Sequence, residues 1–273
     1  MSIIDESLAI AEKEIKLSTR FKLPFFTQSL VGPLIRILPF LLIYTGFFSI
    51  SQDVTIGELV KPDTFIVFLI LGMLADVFFE TGWRTFGNKF MREKFWETIS
   101  ATFLAPINKL SLILGTGLAE FVSIFPSLII FFIIGFIIVP IGFLKLGVIL
   151  LALLLLFLIS LSIGLIVGSA SLFNENFIPI FNYVRIVIVF FSCFYYPIEV
   201  LEIKQLGAIG QIFPAIASIN PVYQVINLIR NIWFGTGLEL QPLIYILFFA
   251  IVTPIAAVYL FKRLFKVLSI QGY

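Results

Sequence analysis

The sequence predicts an all-α, polytopic membrane protein with six transmembrane helices, and three observations predict it. Of 273 residues, 60% are apolar and 12% charged, the latter about half the share usual in soluble domains. Mean hydropathy is +1.12, and 33 phenylalanines are spread along the chain, more apolar surface than a water-soluble fold of this length can hide. The apolar residues also gather into six runs near the ~20 residues that a helix needs to cross a ~30 Å hydrocarbon core.

Residues 1–24 form a first segment, ahead of a transmembrane domain over 25–273. Within it Ile4, Leu8, Ala11 and Ile15 recur at helical spacing with charges on the opposite face, which predicts an amphipathic interfacial helix ended near Pro24. This stretch carries four acids and no apolar centre, so no cleavable signal peptide is expected. The spans are placed at Leu30–Ile50, Phe65–Trp83, Leu110–Val139, Phe143–Leu172, Phe177–Pro197 and Leu243–Phe261. The third and fourth exceed the minimum by about eight to ten residues, which implies tilt or extension beyond the bilayer.

Two connections are long enough to have structure. The loop 85–109 has no Gly or Pro between Met91 and Ala105, which predicts a helix that leaves the membrane edge and stops at Pro106. The segment 198–241 holds two weaker apolar pieces, Leu206–Ile219 and Pro221–Phe234, split at Asn220-Pro221. At about 14 residues each they are too short to span, and they predict a re-entrant hairpin before the last helix.

Lysine and arginine placement sets the orientation. With both termini inside, the inner flanks hold twelve (Lys13, Lys16, Arg20, Lys22, Arg84, Lys89, Arg92, Lys94, Lys109, Lys262, Arg263, Lys266) and the outer four (Lys61, Lys145, Lys204, Arg230). The expectation is a multi-pass protein of the cell (cytoplasmic) membrane, with the 85–109 loop in the cytoplasm and the hairpin outside.

Three groups of residues could carry function. The inner loop mixes charges with Phe95, Trp96 and Phe103, which suits docking of a partner protein or anchoring at the headgroups. Ionisable residues within spans are costly unless paired or functional; these are Arg36, Asp76, Glu80, Glu120 and Arg185. Glu80 and Arg84 have the acid-first i, i+4 order, and Arg36 and Arg185 are expected to partner Glu120. Such acids could relay protons, but buried structural pairs are the commoner use. Third, Phe190–Pro197 is aromatic at the outer end of the fifth span, reading as an interfacial belt or as a path for lipid chains or sugar rings. Gly164 and Gly168, four apart, allow close helix packing.

Several classes are excluded. A dispersed net charge of +2 does not suit nucleic acid. One cysteine, Cys193, and no histidine leave no intramolecular disulfide, no cysteine metal cage and no His-based hydrolase. No Gly-x4-Gly-Lys-Ser/Thr loop occurs, so ATP is not bound in the P-loop manner.

The layout and two local patterns resemble the membrane subunit of type-2 ABC exporters, the permease family that moves polysaccharides, teichoic acids, drugs and lipids. One pattern is Arg92-Glu93…Thr98…Leu104-Ala105-Pro106 in the inner loop. The other is Tyr196-Pro197-Ile198-Glu199-Val200-Leu201, then Asn220-Pro221 and Arg230. Family members often carry Gly-Thr followed by an acid in the loop, where this chain has Glu97-Thr98 and then Ser100. The resemblance implies a non-enzymatic permease subunit with no cofactor of its own, ATP and Mg being held by a separate P-loop ATPase. It implies coupling to that ATPase through Arg92, Glu93, Phe95, Trp96, Glu97 and Thr98. An outer gate or substrate path is expected at Tyr195, Tyr196 and Pro197. Two copies, or one copy with a related permease, would enclose a path through membrane lipid for a hydrophobic or amphipathic substrate such as a lipid, lipid-linked glycan or drug. The alternatives are a proton-coupled secondary transporter using Asp76, Glu80 and Glu120, and an intramembrane lipid-modifying enzyme.

Overall fold

The computed structural model describes residues 2–50, 60–104, 107–174, 176–202, 210–235, 237 and 240–270, and it is an all-α bundle. In chain order the helices are α1 (Ile3–Thr19), α2 (Lys22–Phe26), α3 (Gly32–Ile50), α4 (Phe65–Phe95), α5 (Ile99–Leu104), α6 (Lys109–Ile138), α7 (Phe143–Phe173), α8 (Phe177–Phe191), α9 (Ile212–Ile219), α10 (Pro221–Phe234) and α11 (Leu240–Ile270). Five stretches are long and apolar enough to cross a membrane: Lys22–Ser49, Phe65–Phe95, Lys109–Ile138, Phe143–Phe173 and Leu240–Leu264. The bent pair α9–α10 makes a sixth if counted as one broken span.

Helix α4 is the axis. Its Phe68, Phe78, Phe79, Phe86 and Phe90 are all essentially fully buried, and α7 lies along it. Glycines permit that approach: a Cβ at Gly164 would meet the Gly82 carbonyl oxygen at 2.4 Å, and one at Gly168 would meet the Phe86 carbonyl carbon at 2.7 Å. The expected close packing at this pair is therefore present, and in a bilayer such backbone proximity stands in for a hydrophobic driving force between helices.

The N-terminal helix differs from expectation in its end and in its buried face. It starts with a capping box between Ser2 and Asp5 and stops at Thr19, while Pro24 falls in the first turn of α2, where its missing N–H leaves no bond unmade. Ser7, Ala11 and Glu14 turn inward, whereas Ile4 and Leu8 remain exposed. Ala11 of the expected stripe thus joins the protein-facing side with Ser7 and Glu14, and Ile4 and Leu8 are left outward, as an interfacial helix requires.

The inner loop is not one helix. α4 runs on to Phe95, then breaks at Trp96–Thr98 before the six-residue α5. Glu97 has φ +56°, its N–H donates to Lys94 O, and the Thr98 N–H donates to Glu93 O. These are the two bonds of a Schellman stop. The expected turn at Ala105-Pro106 lies outside the described residues.

The fifth expected span is also shorter than Phe177–Pro197. α8 has 15 residues, about 22 Å at helical rise, and the chain then turns back into the bundle. Phe194 is buried, and its carbonyl lies where a Cβ on Gly72 of α4 would be, 1.6 Å away. Glycine is the residue that leaves room for that turn. The hairpin is close to expectation: α9 and α10 meet at Asn220-Pro221 with a bend of 85°. Asn220 caps α10 by accepting the Val222 N–H, and donates to Ile188 O (3.2 Å) and Ser192 Oγ (2.9 Å) at the end of α8. The earlier part of its first piece, 206–209, lies outside the described residues.

Candidate functional site

Three polar constructions stand out in the apolar bundle, all touching α4. The first is at the end of α4 that carries the 96–98 turn. Glu14 of α1 is buried between Lys89 Nζ (2.9 Å) and Arg92 Nη2 (2.7 Å), and Lys89 also donates to Thr116 Oγ1 of α6 (2.6 Å). Burial alone would raise the Glu14 carboxyl, but the two cations together hold it below the usual carboxylate value. About two turns nearer the start of α1, the Asn108 N–H and then the Ser111 hydroxyl hold the Glu6 carboxyl low as well. Arg92 in turn lies over the Trp96 ring at 5.5 Å from its centroid. Beyond this anchored base the turn protrudes: Phe95 is 84% exposed and Trp96 56%, with Glu97 and Thr98 exposed beside them. Of the six residues assigned to coupling, four thus form the tip. Arg92 holds the base, and Glu93 is buried beneath it.

The second construction is a cleft of about 420 Å³ between α3, α4 and the far end of α8. Asp76 accepts from Arg36 Nη1 (3.2 Å) and from the Tyr195 hydroxyl (2.8 Å). Glu80 lies between Arg84 Nη2 (2.5 Å) and Arg185 Nη1 (2.7 Å). Tyr195 is stacked on Phe40, with centroids 4.5 Å apart. Four of the five intramembrane ionisable residues are therefore brought together, and with them one of the three gate residues. Arg36 and Arg185 do not pair with Glu120, as was expected of them. Glu120, on α6, forms no ion pair among the described residues and takes only Ser123 Oγ, at 3.4 Å. The reason is geometric: its charged surroundings are Glu14, Arg92 and Lys89, whereas Asp76 and Glu80 face α3 and α8.

The third is the turn after α8. Arg230 of α10, counted from sequence as an outer-loop cation, is buried. Its Nη1 donates to Cys193 O (2.9 Å) and its Nη2 to Phe194 O (2.6 Å), while the guanidinium lies 3.6 Å from the Phe68 centroid. It thereby secures a turn in which Cys193 itself has φ +52°. Phe194 is core and not an interfacial belt. Tyr196 donates to Phe190 O, and Pro197 is buried. The aromatic pocket of Phe190, Tyr196, Val200, Leu201 and Phe213, about 270 Å³, lies on the α9 side.

Sequence reasoning missed Glu14 and Lys89. Their signal was present in outline, an acid on the inward side of α1 and a lysine within helical reach of Arg92, but which helix faced them was not. No family model matches this chain, and no curated protein matches it. The fold and its polar clefts carry the functional reading: a polytopic helical membrane protein consistent with transport.

Proposed function

We propose that the chain is the transmembrane subunit of an ATP-driven exporter of the type-2 ABC kind, moving a hydrophobic or amphipathic substrate across the cytoplasmic membrane. One observation carries it. An exposed aromatic turn, Phe95-Trp96-Glu97-Thr98, caps a rigid 31-residue helix whose interior residues line the polar cleft. At about 1.5 Å per residue α4 extends for roughly 46 Å, so force applied at the turn reaches Glu80 and Asp76 without passing through a flexible joint. A P-loop ATPase docked on Phe95 and Trp96 would push that helix, and rigid-body rocking of α4 with α1 would alternate access to the cleft. ATP and Mg belong to the partner, and both termini lie on its side.

The proton-coupled alternative has less support. Asp76 and Glu80 already hold three guanidiniums between them, which makes them structural counter-ions first. The test is affinity purification of the tagged chain from its native membrane with bound proteins identified. A P-loop ATPase is expected in the wild-type eluate and absent when Phe95, Trp96 and Glu97 are changed to Ala. A wild-type eluate without one after mild cross-linking sinks the exporter reading.

A further inference from the structure

The cleft on α4 has more positive charge than its structural pairing needs. Two carboxylates, Asp76 and Glu80, face three guanidiniums, Arg36, Arg84 and Arg185. Among the described residues each arginine commits one nitrogen to these contacts, and a guanidinium has five N–H donors. Arg36 and Arg84 keep 45% and 49% of their side-chain surface exposed. A purely structural network would need no surplus cation, and Arg36 lies within the first span, where a half-bare guanidinium is costly without a counter-charge. The polar strip also continues. An adjoining cleft of about 280 Å³ shares Arg84 and is lined by Asn88 and Asn182, so polar groups follow α4 from Asp76 towards the 96–98 turn. On either side of the opening the outward faces of α3 and α8 are apolar, with Ile35 and Val187 exposed.

We propose that this cleft binds the phosphate group of an anionic lipid, with Arg36, Arg84 and Arg185 as its ligands and the acyl or isoprenoid chain lying along α3 and α8. Guanidinium geometry matches phosphate oxygens in a two-pronged manner. The net single positive charge attracts an anion and disfavours a cation. The lateral opening admits a ligand whose tail stays in hydrocarbon, which a soluble phosphate would not need. The assignment deepens the exporter reading by naming the chemical class of its substrate, but the binding itself requires no ATPase.

The full chain is reconstituted in phosphatidylcholine nanodiscs. Saturable binding is measured for radiolabelled farnesyl pyrophosphate and for dioctanoyl phosphatidic acid, with farnesol and dioctanoylglycerol as neutral matches and protein-free discs subtracted. Both phosphate probes are expected to saturate and the neutral ones not. Arg84→Gln is expected to weaken binding about ten-fold or more, since it deletes a charged hydrogen-bonding partner. The pair Glu80→Gln with Arg84→Gln keeps the net single positive charge that Arg84→Gln alone removes and is expected to show the same loss, with Lys145→Gln unchanged. A tighter pyrophosphate would assign the site to an isoprenoid carrier, and a tighter phosphatidic acid to a bilayer phospholipid; both support the site. The proposal is overturned if neither phosphate probe saturates on monodisperse wild-type protein, or if both arginine variants bind as wild type. Intact binding in a chain that captures no ATPase would remove the exporter reading and leave the site.

Discussion

Glu97 occupies, at φ +56°, a backbone region that costs a residue with a Cβ about 1–2 kcal/mol. Helices that end in this way usually place glycine there. Glu97→Gly is therefore expected to stabilise the turn by about 0.5–1 kcal/mol and to raise the thermal midpoint of the detergent-solubilised chain. An unchanged or lower midpoint would mean that the Glu97 side chain makes a compensating contact. Glu14 gives a prediction with a sign. Its carboxyl is held below the usual carboxylate value by Lys89 and Arg92 despite its burial, so its stabilising contribution is complete above that usual value and is lost as pH falls through the lower folded-state value. Hydrogen exchange of α1, taken relative to the intrinsic amide rate at each pH, should accelerate over that acid interval in the wild type. In Glu14→Gln it should be fast already at neutral pH and change little on acidification. Exchange in the wild type that ignores this interval would separate α1 from the cation pair.

At the level of elements, the α4–α7 seam is the most sensitive contact. Gly164→Val would set side-chain carbons against the Gly82 and Trp83 carbonyls, which are backbone atoms and cannot rotate aside; overpacking of this kind costs about 1–3 kcal/mol. Gly147 on α7 has nothing within 4 Å of an added Cβ, so Gly147→Ala should instead gain about 0.5–1 kcal/mol. Thermal unfolding of the two variants side by side checks both signs. The same comparison shows what the sequence made legible. The start of α10 could be read because Asn220-Pro221 is local chemistry, a cap followed by a residue that suits the first helical turn. The end of α8 could not, because Phe190–Tyr196 holds no Gly or Pro and its turn is held by Arg230, 37 residues from Cys193. The break after Phe95 was hidden for a similar reason: a stop usually marked by glycine is made here by glutamate. The intramembrane charges were legible as costly, but their pairing was set by which faces α3 and α8 present to α4.

For the whole molecule, the decisive asymmetry is between its two sides. α11 exposes Ile244, Ile251 and Ile255, a surface that lipid covers without cost. The α3–α8 side exposes apolar residues too, but it also carries the half-bare Arg36 within its span and Arg84 at the inner edge, and hydrocarbon does not solvate a guanidinium. A second copy across that side would enclose the cleft in a shared, partly wet path and remove the mismatch. A two-fold contact brings a residue near the axis opposite its own mate, so single cysteines can locate it. The native Cys193 is fully buried and gives a silent background. Tyr183→Cys and Val187→Cys on α8 are expected to form disulfide-linked dimers in native membranes, and Ile251→Cys and Ile255→Cys on α11 are not. The opposite pattern would put α11 at the contact and leave the arginines facing lipid, and a path shared between two copies could then no longer run through this cleft.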